Sequence, residues 1–451
     1  MNKKIIFSFL GCLVILIVAF LMCNNKEEGT SMMNATVISK NDEKIMLQDV
    51  KNIIYTFNVS NFDGEIGSNL IVNYKGKLNK NKEAQDSMVV DYEVKAVALK
   101  DGVPEEWLDE GMFRDHYKVA YEKLKTMSLD EKIAQLLLVH YPSANGVEIL
   151  KQNQFGGYLF FERDFRDKTK KEVQTMIEEL QNVSKIPILT AVDEEGGNVV
   201  RVSSNANLAS HRFKSPSELY ANGGFTEIKN DTIEKSMVLN NLGINLNLAP
   251  VVDVSTNSND YMYERTLKEN TDLTAEYAKT VIEASKGMHV SYTLKHFPGY
   301  GSNADTHTGS SVDNRTYQEI VENDLPPFEA GINAGAEAVL VSHNTVTSID
   351  ANNPASLSPS VHNLLRNNLD FTGIIITDDL SMDALDSVDN KIVKALLAGN
   401  DLIITSDYEG AINSIKTALN NDEISENLVD KLAFRILAWK YYKGLIMENQ
   451  K

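Results

Sequence analysis

The chain is 451 residues long, 43% hydrophobic, and carries 63 acidic against 44 basic side chains for a formal charge of −19 at pH 7. That is enough apolar material for one large domain and a small one, and the acidic balance offers no phosphate-neutralising footprint, which excludes nucleic acid as a partner. Only Cys12 and Cys23 occur, so a disulfide-stapled scaffold is excluded too.

Residues 1–23 read as an export signal or membrane anchor. Lys3 and Lys4 precede Ile5 to Met22, eighteen residues without a charged group, and polar Asn24-Asn25-Lys26-Glu27-Glu28 follows. Two outcomes stay open: an uncleaved signal anchor, or a lipoprotein signal with lipid on Cys23. Leu21 and Met22 are larger than a lipobox prefers. Both outcomes place the body outside the cytoplasmic membrane and attached to it. Cys12 falls inside the apolar segment, so the exported body has no disulfide and depends on its core.

Residues 33–98 form a separate β-rich unit. Alternating runs Ala35–Ser39, Lys44–Gln48, Ile53–Val59, Leu70–Tyr74 and Val89–Val97 are broken by Asp63-Gly64 and Lys75-Gly76 turns. Five such strands suggest a small β-barrel of OB-like kind. The unit carries no catalytic cluster and reads as a spacer, or as a binder of the wall or a partner. Residues 99–111, with Asp101-Gly102-Val103-Pro104, read as the linker.

From 112 to 451, strand and helix patterns alternate as a parallel sheet with crossover helices requires. Eight strands are predicted: Leu136–His140, Gly157–Phe161, Pro187–Val192, Asn245–Ala249, Ser291–Leu294, Ala338–Val341, Gly373–Thr377 and Asp401–Thr405. The fold class is therefore α/β, a (β/α)8 barrel. Ser128-x-x-Glu131 predicts a capping box, Ser358-Pro359 a cap before a first-turn proline, and Ser425–Tyr442 a closing helix.

The chemistry concentrates in Lys295-His296-Phe297-Pro298-Gly299-Tyr300-Gly301 and the following Asp305-Thr306-His307, thirteen residues in all. Asp305 and His307 lie two apart, a spacing that lets a carboxylate orient an imidazole that moves protons. Asp378-Asp379 ends another apolar strand. A proton shuttle and a carboxylate nucleophile are the minimum kit of retaining glycoside hydrolysis. Asp379 reads as an N-cap of the following helix. His343 reads as closing the sixth strand.

These motifs, with Asp193-Glu194-Glu195-Gly196-Gly197, Arg201 and Thr377-Asp378-Asp379-Leu380-Ser381-Met382, resemble glycoside hydrolase family 3 in its bacterial β-N-acetylglucosaminidase branch, over about residues 112–445. The resemblance implies Asp378 as nucleophile, His307 as acid/base and Asp305 as its orienting partner. It also implies sugar contacts by Asp193, Arg201, Arg265, Lys295 and His296, with Arg201, Lys295 and His296 keeping Asp378 ionised. The expected activity is exo-acting release of terminal N-acetylglucosamine from wall-derived glycans by a monomer with no cofactor and no metal. Tyr300 departs from the family pattern, which commonly has a second histidine there, and the dyad loop is one residue shorter. The alternatives are a catalytically silent, membrane-tethered glycan-binding protein, and a β-glucosidase or sugar phosphorylase of the same family.

Overall fold

The computed structural model describes residues 30–40, 44–49, 53–58, 69–75, 78, 88–94, 99–100, 102–142, 144–302, 306 and 309–447. Ile5–Met22, both cysteines, Asp305 and His307 lie outside these residues. Among the described residues no helix is long and apolar enough to cross a membrane. The chain separates into two compact units, Met1–Ala96 with Asp422–Ser425, and Val97–Asn421 with Glu426–Lys451.

In the smaller unit, β1 (Thr30–Lys40), β2 (Lys44–Asp49), β3 (Ile54–Asn58), β4 (Asn69–Lys75) and β5 (Met88–Val94) form one antiparallel sheet in the order β3-β2-β1-β4-β5. Strand side chains alternate between faces, and here every second residue is apolar and buried: Ala35 and Val37, Ile45 and Leu47, Tyr55 and Phe57, Leu70 and Val72. The register stacks them, with Val37 opposite Leu47, Leu47 opposite Tyr55 and Ala35 opposite Leu70. Each large apolar side chain so buried contributes roughly 1.5–3 kcal/mol.

The larger unit is a parallel barrel. Its strands are β6 (Leu137–His140), β7 (Gly157–Phe160), β8 (Leu189–Val192), β9 (Leu246–Asn247), β10 (Ser291–Phe297), β11 (Ala338–Val341), β12 (Ile374–Thr377) and β13 (Ile403–Thr405). Sequential strands are neighbours from β6 to β12, and β13 returns beside β6. A parallel bridge between Ile376 and Leu402, with Thr377 N donating to Leu402 O at 3.0 Å, closes the ring. Layers on both faces explain why β7, β8, β11 and β12 are buried at every position.

The local signals act as their chemistry requires. Ser128 accepts from Glu131 N at 3.3 Å while Glu131 Oε2 accepts from Ser128 N at 2.9 Å, the capping box of helix Leu129–Gln135, worth about 1 kcal/mol. Ser358 caps helix Pro359–Asn363. The closing helix, Glu426–Tyr442, joins the N-terminal ends of the strands through Arg435, whose Nε meets Asp401 Oδ1 at 2.7 Å, and Trp439, whose Nε1 donates to Glu337 Oε2 at 2.7 Å. The stretch 99–111 is built into this unit where it is described. Leu99–Lys100 pairs with Val103–Pro104, and buried Trp107 packs on Phe434 and Tyr121 at 5.6 and 5.7 Å between ring centroids.

Candidate active site

Barrel strands deliver their functional side chains at their C-terminal ends, where the βα loops meet. After β8 the chain must turn sharply, and Gly196 and Gly197 permit this with φ of 106° and 62°. A Cβ on either would strike the backbone at Lys214 or the side chain of Ser215. Buried Glu194 is spent on the same turn. It accepts from the backbone N–H groups of Arg201 and Val202, both at 2.7 Å, and from the Ser203 hydroxyl. Asn247 of β9 fixes the Glu194 peptide from the other side, at 2.9 Å to N and 3.1 Å to O.

That turn leaves Asp193 and Glu195 beside Lys295 at the end of β10. Lys295 Nζ is 2.8 Å from Asp193 Oδ1 and 2.7 Å from Glu195 Oε1. Arg265 forks onto Glu195, Nε to Oε2 at 2.9 Å and Nη2 to Oε1 at 2.6 Å, and Arg201 Nη2 stands 3.5 Å from Asp193 Oδ2. Burial alone would raise both carboxyls. The charges of Lys295 and Arg201 outweigh it at Asp193, and those of Arg265 and Lys295 at Glu195, so both are held below the ordinary carboxylate range. Burial likewise opposes charge on Lys295 and Arg265, and the facing carboxylates reverse it and raise both. A buried network of this kind is stable only while complete.

His296 is held through Asp253, which follows β9. Asp253 Oδ2 is 2.8 Å from His296 Nδ1 and Oδ1 accepts from Tyr300 N at 2.7 Å, while His296 Nε2 lies 3.3 Å from Arg265 Nη2. After β12, Asp378 N donates to Val341 O at 2.9 Å, and Asp378 Oδ1 accepts from Asp379 N at 2.9 Å. Buried His343 donates from Nε2 to Asp379 O at 2.9 Å and accepts from the Ser356 hydroxyl at Nδ1, 2.7 Å away. Burial pushes its pKa down, which keeps the ring neutral. His140 Nε2 is 2.9 Å from Asp379 Oδ2, close but off the line of the ring N–H. Burial raises the Asp379 pKa, but His140 and the Ser381 amide bring it below its ordinary value.

The structure brings together Asp193, Arg201, Arg265, Lys295 and His296 in one chain of contacts, with Asp378 on the same face. Asp305 and His307 lie outside the described residues; Thr306 between them is described. Two expectations change. Of the three groups expected to serve Asp378, Arg201 and Lys295 are engaged with Asp193 and Glu195, and His296 with Asp253, because those carboxylates share their buried pocket. Asp379 caps no helix: the following element is a short turn at Asp383–Leu385 with Met382 at its cap position, and the Asp379 side chain instead accepts from Ser381 N at 2.9 Å. Sequence reasoning placed Asp253 at a strand end on the active-site face but assigned no chemical role to it or to Glu195. The acidic run after β8 and the Asp after Pro250-Val251-Val252 are the signals that point to them. Among the described residues no three His, Cys, Asp or Glu side chains are arranged to hold a metal.

The family model described as the glycosyl hydrolase family 3 N terminal domain matches residues 128–439. A curated beta-hexosaminidase of Xanthomonas euvesicatoria pv. vesicatoria is 28% identical over 310 residues, covering 66% of this chain and 90% of that protein. Among solved structures, a glycoside hydrolase family 3 beta-N-acetylglucosaminidase from Paenibacillus sp. str. FPU-7 is similar at 26% identity and a TM-score of 0.66, covering 71% of this chain and 63% of that one. M tuberculosis LpqI is similar at 26% identity and a TM-score of 0.63, covering 70% of this chain and 95% of its own. The chain thus spans less than two thirds of the Paenibacillus enzyme and nearly all of LpqI.

Proposed function

The chain belongs to glycosyl hydrolase family 3, and from that premise we propose that it is a retaining, exo-acting β-N-acetylglucosaminidase. The observation that carries this reading is the charge accounting at the strand ends. Asp193, Glu195, Asp253 and Asp379 each face a cation or a histidine, and Glu194 is consumed by backbone amides. Among the described residues, the Asp378 carboxylate accepts one hydrogen bond, from the Asp379 amide to Oδ1, and none reaches its other oxygen. A carboxylate bound by cations is a weak nucleophile, whereas one oriented by a single amide keeps a lone pair for attack.

In this reading Asp378 attacks the anomeric carbon while His307 protonates the departing glycosidic oxygen, and a glycosyl-aspartate forms. His307 then takes a proton from the water that releases the sugar. An imidazole of ordinary pKa, about 6.5, exchanges roles near neutrality without the large upward shift a glutamate acid would need. Asp305 orients the ring and stabilises its charged form. The paired wall of Asp193, Lys295, Glu195, Arg265 and His296 is a rigid set of donors and acceptors for sugar hydroxyls, already ordered before substrate arrives. The relatives' names support the acetamido sugar. The apolar Ile5–Met22 segment supports a membrane-attached, extracytoplasmic enzyme acting on wall-derived glycans, with the β-rich unit as its spacer. That unit's strand order, with β1 central and β3 and β5 at the edges, suits an OB-like barrel.

The test is hydrolysis of nitrophenyl β-N-acetylglucosaminide and nitrophenyl β-glucoside by the full chain in detergent, with and without inorganic phosphate, alongside Asp378→Ala and His307→Ala. Preference for the acetamido sugar, release of free sugar independent of phosphate, and loss of at least about a thousandfold in Asp378→Ala are expected. Activity indifferent to both substitutions refutes the site. Sugar phosphate as product refutes hydrolysis.

A further inference from the structure

The helix Pro216–Asn241 crosses from β8 to β9, and beyond its kink at Gly223 and Gly224 its buried face reads Ile228, Asp231, Thr232, Lys235, Ser236 and Leu239. Apolar residues at that spacing would be enough to pack a helix on a sheet. The two hydroxyls are absorbed by the helix itself: Thr232 Oγ1 donates to Ile228 O at 2.8 Å and Ser236 Oγ to Thr232 O at 2.7 Å. Asp231 and Lys235 are different. They form a buried ion pair one turn apart, Nζ to Oδ2 at 3.1 Å, and taking two charges out of water costs more than packing apolar residues of similar size.

The ammonium serves the loop that follows β8. Lys235 Nζ donates to the Glu195 carbonyl at 3.1 Å and stands 5.2 Å from the centroid of the Phe213 ring. Phe213 closes the same loop, its carbonyl accepting from Gly197 N at 2.9 Å. One cation therefore touches both arms of the Gly196-Gly197 turn. Glu195 is held at each of its peptides, by Lys235 at the carbonyl and by Val199 O at its N–H, 3.0 Å away. Between these two anchors its side chain reaches Lys295 and Arg265. Burial opposes the charge on Lys235, but Asp231 outweighs it and raises the pKa, so the ammonium persists.

We propose that Lys235 is a positioning residue for the sugar-binding wall, its ammonium fixing the Glu195 peptide so that the Glu195 carboxylate meets Arg265 and Lys295 in the geometry that receives the sugar. This rests on the sugar contacts proposed above for that wall. A displaced wall binds the sugar less well in the ground state and the transition state alike, which raises KM more than it lowers kcat. A loss of folded protein does the reverse, lowering the apparent kcat and leaving KM alone.

In the full chain, the double variant Asp231→Leu with Lys235→Met removes both charges at similar volume, an exchange that buried ion pairs commonly tolerate. On nitrophenyl β-N-acetylglucosaminide it is expected to raise KM about tenfold with kcat within about threefold of wild type. The loss should be equal for aryl leaving groups of any basicity, because the wall meets the sugar and not the departing group. KM reads only folded molecules, so a less stable Lys235→Met single variant should show the same rise. Asp231→Asn breaks the ion pair and keeps Lys235 on the Glu195 carbonyl; it should lower the melting temperature while KM stays within about twofold of wild type. Wild-type KM in the double and Lys235→Met variants, or a KM raised about tenfold in Asp231→Asn, overturns the inference. Glu195→Gln decides the reading beneath it: unchanged kcat/KM there fails the sugar wall itself, whereas a fall there with wild-type KM in the Lys235 variants fails only the role given to Lys235.

Discussion

Lys440 gives the sharpest test of how the barrel's interior is priced electrostatically. It lies in the closing helix, fully buried, with its Nζ 2.7 Å from Gln135 Oε1 and no carboxylate in ion-pair range among the described residues. Burial pushes its pKa from 10.5 down to about 7. At about 1.4 kcal/mol per pH unit, the ammonium costs the folded state roughly 5 kcal/mol at pH 7 and below. The sign follows from proton counting: between about pH 7 and 10.5 the unfolded chain binds the proton and the folded one does not, so stability rises with pH across that window and is flat on either side. Lys440→Met conserves volume, removes the charge, and leaves Gln135 Oε1 unpaired at a cost of about 1–3 kcal/mol. The variant should therefore be more stable than the parent by roughly 2–4 kcal/mol at pH 7 and less stable by about 1–3 kcal/mol near pH 10.5. Urea unfolding of both proteins at several pH values measures this directly. A stability difference that does not change between pH 7 and 10.5 refutes the reasoning, since it would mean the amine titrates alike in both states.

Three further outcomes follow from the paired charges. Glu195→Gln removes the carboxylate that Arg265 forks onto and leaves Lys295 with Asp193 alone, and should cost about 3–5 kcal/mol in denaturant unfolding together with a large fall in kcat/KM on the acetamido substrate. Asp401 accepts from Arg435 Nε and Arg366 Nη2, both at 2.7 Å, at the strand ends opposite the site; Asp401→Asn should cost a similar amount, read by thermal melting, with kcat of the folded fraction unchanged. Asp193 and Glu195 are held below their ordinary values of 3.8 and 4.5. Their contribution is fully present above those values and is lost as pH falls below them, so Glu195→Gln should flatten the acid limb of a pH–stability curve.

The strands were legible because their signal is local. Ala338–Val341 is a run of β-branched and apolar residues between helix signals, and a parallel strand covered on both faces needs nothing else. The caps were legible for the same reason: Ser128 and Glu131 lie three apart and complete their box alone. Asp379 reads as a cap by identity, yet its side chain turns to Ser381 and His140, the latter more than two hundred residues away in sequence. Glu195 is the same kind of case. Nothing around it separates it from Glu194, and what divides them is that one meets the amides of its own turn while the other meets Arg265 from the loop after β9 and Lys295 from β10.

This difference bears on how the site came to be readable at all. A sequence motif marks residues whose neighbours along the chain constrain them, as the Phe297-Pro298-Gly299 turn constrains Tyr300. The charge state of a carboxylate is instead decided by which cation from another loop reaches it. Asp378 has the same side chain as Asp193, and the two differ because Lys295 lies 2.8 Å from Asp193 whereas the only hydrogen bond a described residue makes to the Asp378 carboxylate comes from the Asp379 amide. In the proposed mechanism Asp378 is the nucleophile because the few buried cations are partitioned among the other carboxylates. This partition makes Lys295 the residue to perturb: Lys295→Met frees no oxygen on Asp378, but it leaves Asp193 and Glu195 short of charge, and both should then take up protons at higher pH. A kcat/KM profile whose acid limb moves upward in Lys295→Met supports that partition, and an unmoved limb contradicts it.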